Sequence, residues 1–176
     1  MVRRSSALKI ALVGIMAATV ECGKIALAAL PNIEVVTLLI ALYSYVFGFL
    51  GVIAAVIFVM IEPMIWGFGS WVISYFIYWP ALALLFALLG KAKIKNRILL
   101  TFISVFATVI FGLLTSLVDV GLFSGYFDNF FYRFGIYYLR GAVFYALQVG
   151  CNFVLFLLVF PFLGEKLSGL KRKMRL

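Results

Sequence analysis

Long apolar runs make up most of the chain, and short breaks that are polar or contain glycine or proline separate them. The runs predict six helices, over residues 8–30, 35–47, 51–61, 71–89, 98–123 and 131–162. Pro31 and Asn32 end the first run. The uncharged run of residues 35–61 exceeds the ~20 residues of a simple span. It is either one long tilted helix or two short helices that break between Gly48 and Gly51.

The distribution of basic residues decides between these alternatives. Lysine and arginine cluster near the N-terminus, in residues 91–97 and in the C-terminal tail, and these clusters hold twelve of the fifteen basic residues. Such clusters tend to stay on the cytoplasmic side of a membrane. Two short helices over residues 35–61 place all three clusters there, whereas one helix does not. The sequence therefore predicts a single all-α domain over residues 1–176 in the cell membrane, with six transmembrane helices and cytoplasmic termini.

Composition excludes several classes of function. Of the 176 residues, 66% are hydrophobic and 12% are charged, whereas a soluble domain has about 25% charged residues. The chain has no histidine, no GxxxxGK[ST] motif and no CxxC pair, so histidine triads, histidine–metal sites and P-loop ATP binding are excluded. We expect no enzyme activity, no cofactor and no metal. The net charge of +9 is mostly the topology signal, and we expect the bilayer, not nucleic acid, to be its partner.

All three tryptophans of the chain fall between residues 62 and 80. The stretch crosses a glycine-containing loop with Trp66 and Phe68 and then enters a helix, where four aromatic residues recur on one face. Those four are Trp71, Tyr75, Tyr78 and Trp79. Trp66 and Trp71 also suit an aromatic belt at the membrane interface, but Trp79 lies too far into the helix for that. The aromatic face predicts the wall of a ligand pocket.

Most charged residues outside the basic clusters fall in the predicted outer half of the protein. Charge inside a membrane is costly and usually faces a partner or a cavity, so we expect the binding site there. The sixth helix carries a stripe at helical spacing that points to the same region. Its members are Arg133, Tyr137, Arg140, Phe144, Gln148 and Asn152. For Gln148 and Asn152, hydrogen bonding between helices is the alternative.

The first helix carries a face of small residues. Ala7, Ala11, Gly14, Ala18 and Cys22 follow one another at helical spacing. Small side chains let another helix approach closely. That helix belongs either to this protein or to a partner.

With these features, the chain resembles the substrate-binding S component of energy-coupling factor (ECF) transporters. The resemblance covers nearly the whole chain. It consists of six spans, the Ala7-x-x-x-Ala11 face, and short second and third helices before a glycine-containing outer loop. The stretch Leu30-Pro-Asn-Ile-Glu-Val-Val-Thr37 is similar to the first outer loop and the start of the second helix of that family. Phe47-Gly48 and Gly51 fit the turn that joins its second and third helices.

The resemblance implies a vitamin-binding subunit that works with a transmembrane coupling subunit and two ATP-binding-cassette ATPases. Its ligand would bind near the outer surface, between residues 32–37, 62–70 and 124–129 and the outer ends of helices 4 to 6. The implied binding residues are Asn32, Glu34, Trp66, Phe68, Trp71, Tyr75, Trp79, Tyr137, Arg140, Phe144 and Gln148. Ala7, Ala11, Gly14 and Ala18 would contact the coupling subunit. Glu21 and Lys24 depart from the family pattern and form either an internal ion pair or a ligand contact.

The aromatic and amide-rich wall suits a large ring system with hydrogen-bonding edges. Cobalamin is the first candidate ligand, followed by a flavin, a pteridine or a pyridoxine-like compound. Three other functions are compatible with the composition. These are a stand-alone proton-coupled transporter with Glu21 or Asp119 as the proton carrier, a membrane scaffold or assembly protein, and a membrane enzyme.

Overall fold

The computed structural model describes residues 2–125 and 128–174, with side chains from residue 6 onward apart from 123 and 124. All regular structure in these residues is helical, which confirms the all-α prediction. The elements are α1 (Val2–Leu27), α2 (Val36–Phe47), α3 (Phe49–Trp66), α4 (Trp71–Lys91), α5 (Arg97–Ser124) and α6 (Phe130–Val154), followed by a π turn (Leu155–Val159) and α7 (Phe160–Lys173).

Five segments in the described ranges are long and apolar enough to cross a membrane. They are Ser6–Leu27, Phe49–Trp66, Trp71–Lys91, Arg97–Leu122 and Phe130–Lys173, and α2 is a shorter apolar helix. By length and composition, the chain is therefore a multi-pass membrane protein.

Three helix ends differ from the sequence prediction. The first helix ends at Leu27 and turns follow, because Pro31 disfavours helical backbone in the residue before it. The third continues through Pro63 and ends at Trp66, and the next residue, Gly67, has a left-handed φ of 81°. The last helix does not end near residue 162 but runs on through the π turn and α7 to Lys173.

The break between α2 and α3 is the single residue Gly48, whose φ of 62° and ψ of −129° suit glycine. Two further glycines let the helices pack closely around this turn. A Cβ at Gly51 would lie 2.4 Å from the backbone nitrogen of Ser44, and a Cβ at Gly90 would lie 2.1 Å from the carbonyl oxygen of Tyr45. The protein therefore needs glycine where α3 and α4 pack against α2.

The core surrounds α2, which packs against α3, α4 and α7. Ile40 and Leu42 of α2 belong to one buried hydrophobic cluster with aromatic residues of other helical segments. Those aromatic residues are Phe58, Phe86, Phe156 and Phe160.

Long-range hydrogen bonds define two ends of the bundle. At one end, the Tyr45 hydroxyl donates to the Ile94 carbonyl at 2.7 Å, and the Lys171 ammonium donates to the Val46 carbonyl at 2.7 Å. These bonds join the last turn of α2, residues 92–96 and α7, and we call this the basic end. At the other end, which we call the loop end, the Ser70 hydroxyl donates to the Asp119 carboxylate.

The length of α2 positions the candidate site. Twelve residues span about 18 Å, whereas α3, with 18 residues, spans about 27 Å. Both helices meet at Gly48, so α2 starts well below the loop end. Residues 28–35 must fold back into the bundle to reach it, and they leave a cavity above α2.

Candidate functional site

The cavity above α2 has a volume of about 210 Å³. Its wall combines α1, the connection from α1 to α2, and the faces of α2, α4, α5 and α6 that point inward. The lining residues are Lys24, Leu27, Ala28, Leu30, Pro31, Asn32, Ile33, Glu34, Val36, Tyr75, Trp79, Phe111 and Gln148. Five residues predicted from the sequence as binding residues are among them: Asn32, Glu34, Tyr75, Trp79 and Gln148.

Glu34 fixes the connection that forms the floor of the cavity. Its carboxylate accepts hydrogen bonds from the Thr37 backbone N–H at 2.8 Å and the Thr37 hydroxyl at 2.5 Å. The Asn152 amide donates to the same carboxylate at 2.8 Å and to the Thr108 hydroxyl at 3.0 Å. Glu34 thus satisfies one of the free N–H groups at the start of α2 and places its negative charge near the positive end of the helix dipole. It also ties this start to α6 through Asn152, which in turn bonds to α5.

Asn152 lies about six turns from the first residue of α6, so the carboxylate of Glu34 is deep inside the bundle. The Cys151 thiol also contacts the backbone carbonyl of Glu34 at 3.5 Å. Asn32, two residues earlier, has a left-handed φ of 57°, which asparagine tolerates. The turn chemistry of residues 32–37 therefore shapes the cavity floor.

Lys24 contributes a cation to one side of the cavity. It pairs with the Glu62 carboxylate of α3, which is fully buried, while 25% of the Lys24 side chain is exposed. The ammonium nitrogen lies 5.1 Å from the ring centroid of Tyr75, 5.2 Å from that of Trp66 and 5.7 Å from that of Trp71. Carboxylate and aromatic faces together stabilise this charge inside the membrane segment.

Glu21 is not the partner of Lys24. Its carboxylate accepts a hydrogen bond from the Trp66 indole N–H at 3.4 Å. The internal ion pair suggested by the sequence thus joins Lys24 to Glu62, because α3 passes closer to the lysine tip. One oxygen of Glu21 and one of Glu62 are buried without a hydrogen-bond partner among the described atoms.

The aromatic face predicted for α4 is continuous in the structure. Ring centroids are 4.9 Å apart for Trp71 and Tyr75 and 5.6 Å apart for Tyr75 and Trp79, and both pairs meet edge to face. Phe111 of α5 closes the wall at 5.5 Å from Trp79. Sequence analysis missed Phe111, one of nineteen phenylalanines, because nothing in the surrounding run of α5 distinguishes it.

Four of the predicted aromatic positions do not line the cavity. Trp66 and Trp71 contact Lys24 but do not line the cavity. Phe68 is 86% exposed at the loop end. Tyr78 is buried behind the wall and packs against Trp79 and Phe111. The aromatic part of the cavity wall therefore contains fewer residues than the sequence predicted, and these residues lie further from the loop end.

The stripe on α6 divides into two parts. Gln148 is buried and lines the cavity. Tyr137 instead donates to the Asp119 carboxylate at 2.8 Å and ties α6 to α5. Arg140 and Phe144 are exposed and lie off the cavity, because α5 and α6 extend several turns past the start of α2.

The small-residue face of α1 points away from the protein. Ala7, Ala11, Gly14 and Ala18 are all exposed, and a Cβ added at Gly14 would meet no atom within 4 Å. Within the part of the chain that the structure describes, this face does not pack against another helix.

No protein-family model, no curated protein and no solved structure matches the chain.

Proposed function

We propose that this protein is the substrate-binding subunit of an ECF-type transporter and that it captures a micronutrient in the cavity above α2. One observation carries the proposal. The re-entrant connection before α2, the aromatic wall of α4 and the amide of Gln148 on α6 are far apart in sequence yet enclose one cavity. Few convergent polar groups in a largely apolar cavity are typical of a small-molecule site.

A six-span topology follows if α2 and the connection before it count together as one crossing. The α2 helix of about 18 Å is too short for a ~30 Å hydrocarbon core, and residues 28–35 supply the remaining distance. In this topology, the basic end and both termini face the cytoplasm. The bonds from Tyr45 to Ile94 and from Lys171 to Val46 bring two of the three basic clusters to one end, which supports that orientation.

The cavity favours the smaller candidate ligands. Its volume of about 210 Å³ lies below the ~300–1,000 Å³ of usual drug-sized sites. A corrin ring needs far more space, whereas a pteridine or a pyridoxine-like ring fits. Tyr75, Trp79 and Phe111 offer ring faces, Gln148 and Asn32 offer hydrogen bonds, and Lys24 offers a cation. We therefore propose a flat heteroaromatic ligand with an electron-rich or anionic edge.

Transport requires energy from elsewhere, because the chain lacks a P-loop. We propose that a transmembrane coupling subunit with two ATPases docks on the small-residue face of α1. The exposure of Ala7, Ala11, Gly14 and Ala18 supports this. In this proposal, the cavity binds the ligand and the small-residue face contacts the coupling subunit.

Two adjacent alanines provide a test of the binding site. Ala28 lines the cavity and is exposed, and Ala29 is exposed but does not line it. Full-length protein is purified in detergent, and co-purifying compounds are identified by native mass spectrometry. We expect a heteroaromatic compound with the natural chain and with Ala29→Trp, and none with Ala28→Trp. Retention of the compound by Ala28→Trp, or no bound compound in any preparation, would contradict the proposal.

One observation favours a second function, a proton-coupled transporter without ATPase partners. Glu21 and Glu62 each bury a carboxylate oxygen that has no partner in the described structure, and such acids can carry protons in membranes. Uptake that collapses with the proton gradient and persists without ATPases would select this function. Uptake that requires ATPases would exclude it.

A further inference from the structure

A second cavity, of about 790 Å³, lies at the basic end, far from the proposed ligand site. It opens between the turn at Gly48, the last turns of α4, residues 91–95 and the C-terminal part of α7. Its lining residues are Tyr45, Val46, Gly48, Phe49, Leu84, Ala87, Leu88, Gly90, Lys91, Lys93, Lys95, Ser168, Lys171 and Arg172. Four parts of the structure therefore converge on one concave surface.

The polar side of this cavity carries charge of one sign. Lys91 ends α4, Lys93 and Lys95 come from the connection after it, and Lys171 and Arg172 come from α7. No aspartate or glutamate lines the cavity, and none of the five cations forms an ion pair within the described ranges. A concave surface with one sign of charge concentrates counter-ions. The cavity is therefore built for an anion.

Lys171 shows how the cluster is held in place. Its ammonium donates to the Val46 carbonyl in the last turn of α2, where the helix dipole is negative. Tyr45, which also lines the cavity, holds the neighbouring connection by donating to the Ile94 carbonyl. These two hydrogen bonds hold α2, residues 92–96 and α7 together, and the cations lie on the segments that they join.

The other side of the cavity is apolar and faces outward. Phe49 is 69% exposed, Leu84 is 49% exposed and Leu88 is 55% exposed. All three lie on membrane-spanning segments close to the basic end. A ligand that fills this space needs a negative head and a hydrocarbon portion.

We propose that this cavity binds the phosphate of an anionic phospholipid, with the acyl chains along Phe49, Leu84 and Leu88. Basic cavities between transmembrane helices at a headgroup surface are suited to such lipids. The phosphate oxygens accept hydrogen bonds from the lysine and arginine side chains, and the apolar side offers contacts to acyl chains that a free anion cannot make. The proposal does not depend on the function of the cavity above α2.

Matched variants test the site with the full-length protein in detergent. Lys91→Gln/Lys95→Gln removes two cations from the cavity. Lys166→Gln/Lys173→Gln removes two cations from α7 that do not line it. Each protein is titrated with phosphatidylglycerol, with phosphatidylcholine of the same acyl chains, and with glycerol phosphate. Binding is measured by native mass spectrometry and by the thermal shift.

We expect phosphatidylglycerol to bind the natural protein and the α7 control with similar affinity. At about 1 kcal/mol per cation, the cavity variant should bind it roughly thirtyfold more weakly. Arg172→Gln alone should weaken binding by about fivefold. This single variant tests the site if the double variant folds poorly. Equal binding of phosphatidylcholine, equal loss in the control, or glycerol phosphate that binds as tightly as the lipid would overturn the proposal.

Discussion

Lys24 of α1 and Glu62 of α3 form an ion pair at the side of the cavity, with the carboxylate fully buried and the ammonium partly exposed. The pair therefore joins two helices and also presents a cation to the proposed ligand. The negative charge of Glu62 is compensated by Lys24. The positive charge of Lys24 is stabilised by Glu62 and also by three aromatic rings around the ammonium, so loss of Lys24 should cost more than loss of Glu62.

Removal of the cation should destabilise the protein. Lys24→Met leaves Glu62 as a buried carboxylate without its partner, and we expect a loss of about 3 kcal/mol in unfolding free energy. Lys9→Met is the control, because Lys9 lies exposed on the same helix. The double variant Lys24→Met/Glu62→Met should recover much of the loss. Equal stability of the two single variants would show that the pair has no structural role.

The amide of Gln148 should contribute to ligand affinity. Gln148→Leu keeps the side chain close to its natural size and removes a hydrogen bond of about 1 kcal/mol, so the affinity for the co-purified compound should fall about fivefold. Phe144→Leu, an exposed position on the same helix, should leave it unchanged. Isothermal titration of both proteins measures the difference. A fall of the same size in both would assign Gln148 to helix packing.

The bond from Asn152 to Glu34 should hold the cavity floor in place. Asn152→Leu removes the amide donor from a charged acceptor, and we expect about 2 kcal/mol of destabilisation. Hydrogen exchange in residues 28–37 should also become faster. Gln148→Leu serves as the comparison, since it changes the same helix without touching Glu34. Unchanged exchange would mean that the Thr37 bonds alone are sufficient.

The small-residue face should matter for coupling and not for binding. Gly14→Leu adds bulk on the exposed face and should leave ligand affinity unchanged, while ATP-driven uptake and co-purification of the ATPases are lost. Ala26→Trp changes an exposed residue of the same helix more than two turns beyond Ala18, and it should preserve uptake. Lost ligand binding in Gly14→Leu would place the face inside the protein's own packing.

Thiol labelling tests the topology. In a background without Cys22 and Cys151, a cysteine at Ala92 should resist a membrane-impermeant reagent in intact cells. A cysteine at Phe68, which is exposed at the loop end, should react readily. The opposite pattern would invert the orientation, and equal reaction at both positions would contradict the six-span topology.

Local patterns predicted the parts of the structure that depend on one or two neighbouring turns. The break near Gly48 and the face of Trp71, Tyr75 and Trp79 were visible in the sequence, because turn chemistry and helical spacing are local. Phe111 was missed because its role arises only where α5 meets α4, and apolar residues of α5 look alike.

The depth of each helix could not be predicted from spacing. Tyr137 and Arg140 share a helical stripe with Gln148. Spacing shows that they lie on one face of the helix, but it does not show which residues of other helices lie at the same depth in the membrane. The actual level depends on α2 starting deep in the bundle, and Glu34 fixes this through its contact with Asn152. The partner of Lys24 depends in the same way on how α3 passes α1.

The π turn at Leu155–Val159 separates two parts of the last long helix that have different roles. Upstream of it, Gln148 lines the cavity and Asn152 bonds to Glu34, whereas downstream of it Phe160 and Gly164 are buried in the core. A π turn holds one more residue than a regular helical turn, and its wider turn absorbs the rotation of about 100° that one residue adds along an α-helix. Deletion of Leu157 should therefore convert the turn to regular α-helix and leave both segments on their present faces, whereas deletion of a residue elsewhere in α6 would turn the polar residues away from the cavity.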